Sequence, residues 1–180
     1  MKKRVLIIVA DKFEEIEFSC PFDILWRGGT DVSIAGYSNI DLIGANGLQV
    51  RANVRFADVI SETYDCVILP GGPGCYSLRG DEALGNFLVR HFQSGKLICA
   101  ICAAPLILHD SGILRGKKYT AHPCTYNELT EAAVTGNAVA DGNLITASGP
   151  GTAAKFGFKI LEHLVDKATA DSIAKATLFE

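Results

Sequence analysis

No apolar run in this chain approaches the roughly 20 residues that a membrane-spanning helix needs. No basic run offers a surface to nucleic acid or to anionic lipid, and a formal net charge of −3 creates no strong field of either sign. Cysteine is sparse, with six among 180 residues, which is too few for a disulfide framework. Two of the six, Cys66 and Cys99, lie inside apolar runs, where cysteine serves as a small hydrophobe. The expectation is therefore free thiols in a reducing compartment, the cytoplasm. Methionine occurs only at position 1 and tryptophan only at 26, and neither scarcity bears on function. The start MKKRVLIIVA has too short an apolar run for a secretory leader. Asp11 ends it and acids follow, so it reads as a basic tip before a first strand. Repeats, linkers and low-complexity tracts are missing too, and residues 1–180 read as one domain.

What is present is a series of short apolar runs separated by turn signals, in a chain that is 48% apolar and 21% charged. VLIIVA (5–10), VSIAG (32–36), DCVILP (65–70), LICAI (97–101) and KYTAH (118–122) read as strands. AVADGNLITAS (138–148) reads as a hairpin, and short strands surround Asn46-Gly47. Helical patterns fall at 14–29, 83–95, 104–112, 151–165 and from Ala168 onward, with Pro21 expected to kink or restart the first. Strands that are apolar throughout and alternate with helices indicate an α/β fold, a three-layer sandwich whose central sheet is mostly parallel.

Ligands of such sheets bind beyond the carboxyl ends of the strands. The residues that follow the strands here are DKFEEIE, GGPG, Cys102, His122-Pro123-Cys124 and GPGT. The order strand–Cys102–Ala–Ala–helix has the form of a nucleophile elbow, and a following helix start favours thiolate over thiol. A buried structural cysteine is the competing reading. Glu14 and Glu15 suit the dipole of the first helix. Glu17, flanked by Ile16 and Phe18, is expected to be desolvated, with a raised pKa and a proton to share with Cys102. Among His91, His109, His122 and His163, only His122 falls on the functional edge, either as a site residue or as a hydrogen-bonded turn residue. Gly72 would let its amide approach a substrate oxygen. Cys99 and Cys102 form a C-x-x-C pair, but a strand position for Cys99 points the two side chains apart, against both a redox dithiol and a zinc site with His122 and Cys124. GPGTAA follows the last strand, not the first, against a dinucleotide site.

EEIE (14–17), LPGG (69–72), AICAAP (100–105), AHP (121–123) and GPGT (149–152) together resemble the ThiJ/PfpI superfamily, in the branch of the Parkinson-associated protein deglycase. The resemblance covers nearly the whole chain. It implies a flavodoxin-like fold and a homodimer. It implies Cys102 as the reactive cysteine, Glu17 as the protonated carboxyl beside it, His122 nearby, and the amides of Gly72 and Ala103 as an oxyanion site. The protease-like branch carries His directly after the cysteine, and Ala103 in that position argues against a peptidase. The activity implied is cofactor-free conversion of reactive dicarbonyls such as methylglyoxal to hydroxy acids, with no metal or nucleotide, or release of early glycation adducts from proteins. The alternative is a redox sensor or stress-protective, chaperone-like protein working through oxidation of Cys102.

Overall fold

The computed structural model describes residues 2–133, 135 and 137–179. The strands are β1 (Arg4–Val9), β2 (Asp31–Gly36), β3 (Asp41–Ile43), β4 (Gln49–Arg51), β5 (Val54–Arg55), β6 (Cys66–Leu69), β7 (Leu97–Ile101), β8 (Val139–Asp141) and β9 (Leu144–Ala147). The helices are α1 (Glu15–Arg27), α2 (Phe56–Val59), α3 (Glu82–Gln93), α4 (Pro105–Asp110), α5 (Ala153–Leu164) and α6 (Lys167–Ala176). Seven strands form one sheet in the order β5-β2-β1-β6-β7-β9-β8, parallel except for the edge strand β8. Strands β3 and β4 make a separate antiparallel pair around Asn46-Gly47.

The uniformly apolar strands have a direct physical reason. Side chains alternate across a strand, and both faces of this sheet are covered. Val5, Ile7 and Val9 of β1 enter one core layer with Ile24 and Leu25 of α1 and Phe156 and Ile160 of α5. Leu6 and Ile8 enter the other with Leu84, Phe87 and Leu88 of α3 and Leu106 to Leu108 of α4.

Helix α1 runs through Pro21 without restarting. One expectation needs correction. Residues 118–122 form no strand, because β8 already occupies the outer edge of β9. That segment is held by other bonds. Lys118 N donates to Asp141 Oδ2 at 2.8 Å, Thr120 N to Thr146 Oγ1 at 2.9 Å, and His122 N to the Cys102 carbonyl at 2.8 Å. Strand order reverses between β1 and β6, and the loops leaving those two strands open a crevice at the carboxyl edge.

Candidate active site

Cys102 follows the last residue of β7 directly and has φ +65. A side-chain-bearing residue in this left-handed region costs about 1–2 kcal/mol, so surrounding contacts must impose it. Two backbone bonds do so: Cys102 N donates to the Ala147 carbonyl at 2.9 Å, and the Cys102 carbonyl accepts from His122 N. The turn lifts a half-buried thiol over the sheet edge, in contact with both core layers. This is the elbow expected from the sequence.

Glu17 sits in the first turn of α1. Glu14 caps that helix, its Oε2 accepting from Glu17 N at 2.8 Å. Glu15 has another use: its carboxylate accepts from both nitrogens of Asn46 and ties the β3–β4 turn to α1. Glu17 is fully buried. Its Oε2 accepts from Gly71 N at 2.8 Å. Its Oε1 is the one buried side-chain nitrogen or oxygen without a hydrogen-bond partner among the described residues. The Cys102 thiol interacts with this carboxyl. Because Oε2 already receives an N–H, a proton on the carboxyl belongs on Oε1.

Both glycines of LPGG are required sterically. A Cβ on Gly71 would lie 2.7 Å from Cys102 Cβ and 2.7 Å from Glu17 Oε2, so the gap between thiol and carboxyl admits backbone only. Gly72 has φ +90, and a Cβ there would lie 2.4 Å from Glu14 N. The backbone amides of Ala103 and Gly72 favour the anion of the Cys102 sulfur.

Burial raises the Glu17 carboxyl to about 7, against the pull of the Cys102 thiol and the Gly71 amide, and Glu14 adds repulsion. The thiol itself is pushed up, first by burial and then by the charge and hydrogen bonding of Glu17, with the two amides opposing. The helix start expected to acidify the thiol lies further along the chain, since α4 begins three residues later, and the amides of Ala103 and Gly72 do not outweigh burial. Burial is the first cause of both shifts. Two acids share a dry site, and only one of them can be ionised near neutral pH. With the proton on Glu17, the carboxyl becomes a donor to the thiolate and the repulsion vanishes.

His122 caps the 3-10 turn Pro123–Thr125, with Nδ1 accepting from Cys124 N at 3.2 Å. This is the turn role, and it leaves Nε2 as the nitrogen able to donate. The ring edge lies over Gly149, where a Cβ would come within 3.2 Å of Cδ2. Thr152 Oγ1 takes the Gly149 amide at 3.2 Å, so that N–H is spent inside its own loop and is not offered to a phosphate. Cys99 Sγ contacts Cys66 Sγ at 3.6 Å within the core and is no partner to Cys102. All six cysteines are unpaired. Among the described residues no three His, Cys, Asp or Glu side chains are grouped to hold a metal ion. Sequence reasoning missed Gly71, whose amide holds Glu17. The doubled glycine after a strand was the available signal, and it was read for Gly72 alone.

A doubly wound α/β sheet with a cysteine on a strained elbow and a buried carboxyl beside it defines a class of cysteine-site proteins. Residues 3–163 match the DJ-1/PfpI family, and the chain belongs to it. It is 38% identical to protein dj-1beta of Drosophila melanogaster, over 99% of this chain and 98% of that one. The crystal structure of the fly protein superposes with a TM-score of 0.96 and full coverage of both chains, at 36% identity. The chain is 36% identical to the glutathione-independent glyoxalase DJR-1.2 of Caenorhabditis elegans, over 97% and 95% of the two. It is 32% identical to the deglycase PYRAB04690 of Pyrococcus abyssi, over 82% and 91%.

Proposed function

We propose that this protein is a cysteine enzyme acting on small reactive dicarbonyls, converting methylglyoxal to lactate without glutathione, and that the same site releases early glycation adducts from proteins. The observation that carries the reading is the Cys102 thiol on its elbow, facing a fully buried carboxyl that has one oxygen free. The names of the worm and archaeal relatives agree with it.

The chemistry follows from the positions. Proton transfer to Glu17 Oε1 leaves the Cys102 thiolate, which attacks the aldehyde carbon of methylglyoxal. The Gly72 and Ala103 amides stabilise the oxyanion as it forms. That oxygen takes the proton from Glu17, giving a hemithioacetal. The Glu17 carboxylate then removes hydrogen from the former aldehyde carbon and returns it to the neighbouring carbon through an enediol. His122 Nε2 assists at the second oxygen. The product is a thioester of lactate on Cys102. Water cleaves it to lactate and restores the thiol, so the net reaction consumes one water. The site works as a homodimer in a reducing compartment, the cytoplasm, and the six unpaired cysteines support that compartment.

Lactate formed from methylglyoxal without glutathione is the test, comparing the parent protein with Glu17→Gln and Cys102→Ser. Cys102→Ser is expected to be inactive, and Glu17→Gln to lose about 10²–10⁴-fold in turnover, the usual worth of a positioned acid–base group. Undiminished turnover in Cys102→Ser removes the sulfur from the mechanism.

A further inference from the structure

We propose that Arg79 is a positioning residue that locks the three loops of the cysteine site into one register. Arg79 follows the 3-10 turn Pro73–Leu78, which Gly72 opens. Its guanidinium makes two bidentate pairs. Nε and Nη2 donate to the two oxygens of Asp110, both at 2.8 Å. Nη1 and Nη2 donate to the two oxygens of Glu128, at 3.0 and 2.7 Å. Each carboxylate belongs to a different site loop. Asp110 ends α4, the helix that follows the Cys102 elbow. Glu128 lies in the coil that begins at the His122 cap, its amide donating to the Thr125 carbonyl.

Single surface ion pairs contribute little, but a doubly bidentate arginine is a rigid connector, and here both Arg79 and Asp110 are only 24% exposed. The placement of Asp110 supports the assignment independently. An acid in the last turn opposes the helix dipole, so this residue belongs there only with a cation attached. Arg79 holds the Asp110 and Glu128 carboxyls below the usual carboxylate range. Gly72 and Ala103 lie on separate loops, yet both amides favour the anion of one sulfur. Arg79 spans those loops and carries the His122 turn with them.

The inference rests on Cys102 as the reacting group, and its test is chosen to separate it from the proposed substrate. Arg79→Gln, Arg79→Lys and Glu128→Gln would be compared with the parent. The measurements are methylglyoxal turnover, melting temperature, and the rate of Cys102 alkylation by iodoacetamide, mapped by mass spectrometry with Cys20 as internal reference. Arg79→Gln is expected to lower kcat and Cys102 alkylation about tenfold or more with little change in KM, as misaligned catalytic groups do. Arg79→Lys, a point charge without the fork, recovers part of the loss. Should Arg79→Gln fail to fold, Glu128→Gln decides, because it keeps the Asp110 pair; a loss of about threefold is expected there. Folded variants with parental kcat and parental Cys102 alkylation, whatever their melting temperature, overturn the proposal. If the parent turns over no dicarbonyl, the alkylation rates alone decide.

Discussion

Glu17 is a fully buried carboxyl, and the cost of burying it is measurable. Its folded pKa of about 7 stands above the ordinary 4.5. Between those values the unfolded chain has released a proton that the folded chain keeps, so stability falls as pH rises. The contribution is complete below pH 4.5 and is lost as pH passes 7; at 1.36 kcal/mol per pH unit this is about 3 kcal/mol. Glu17→Gln has no such proton. Urea unfolding at pH 4.5 and 8 should show the variant gaining about 3 kcal/mol on the parent at the higher pH. His91 acts with the opposite sign. It is buried, with Nε2 accepting from Tyr64 N at 3.1 Å and Nδ1 donating to the Phe87 carbonyl at 2.9 Å. Burial lowers its pKa, so its contribution is present above 6.5 and is lost as pH falls below. His91 is common to both proteins, and the difference isolates Glu17. A difference independent of pH would mean that the carboxyl is ionised throughout and that no proton is stored beside Cys102. That this carboxyl is desolvated was legible in the sequence, but the reason read from it was only half right. Phe18 is buried while Ile16 is 52% exposed. What dries Glu17 is Gly71 and Cys102, brought from two other loops, and local sequence carries no sign of that approach.

At the scale of elements, the strand–helix alternation was readable because each central strand is buried on both faces, which leaves an unbroken apolar run. The segment 118–122 has the same appearance but lost its place to the β8–β9 hairpin, and edge competition is a property of the assembled sheet. Helix contacts are equally hidden from local pattern, and two glycines show it. Gly157 in α5 faces α1, where a Cβ would lie 2.8 Å from Ile24 Cδ1 and 3.1 Å from Pro21 Cα. Gly85 in α3 has nothing nearer than Ser111 Oγ at 3.4 Å, an ordinary contact. Alanine in a helix interior is favoured over glycine by about 0.8–1.0 kcal/mol. Gly85→Ala is therefore expected to stabilise by close to that amount. Gly157→Ala gains the same propensity but must move Ile24 and press on the backbone at Pro21, an overpacking cost of about 1–3 kcal/mol, so a net loss of about 1 kcal/mol is expected. Thermal unfolding of the two variants checks the sign of each. A stabilised Gly157→Ala would show that α1 and α5 pack less tightly than the distances imply.

For the whole molecule, the sheet order explains why site residues far apart in sequence meet. Glu17 follows β1, Gly71 follows β6 and Cys102 follows β7, three adjacent strands whose carboxyl ends flank the reversal in strand order. The surface next to that crevice bears on the proposed homodimer. Ile16 is 52% exposed, Trp26 59%, Ile43 53% and Leu48 45%. Phe22 stacks between Phe18 and Trp26 at 6.0 and 6.1 Å, extending an aromatic row along α1. Glu15 binds Asn46 and so holds the β3–β4 turn, with Ile43 and Leu48 on either side of it, against the start of the same helix. Apolar groups gathered on one helix and its attached hairpin form the kind of patch that marks an interface. A second copy seated here would cover Ile16, the immediate neighbour of Glu17, and would help to exclude water from the site. A stable pairing should bury about 1,200–2,000 Å² in total. Sedimentation of the parent protein at micromolar concentration is expected to give twice the 19.2 kDa chain mass. The double variant Ile16→Glu, Trp26→Glu should sediment as single chains, since each carboxylate would have to be desolvated to keep the interface. Parent protein at the mass of one chain, or a double variant at the mass of two, would remove α1 from the pairing surface and leave the exposed Ile16 and Trp26 without a partner.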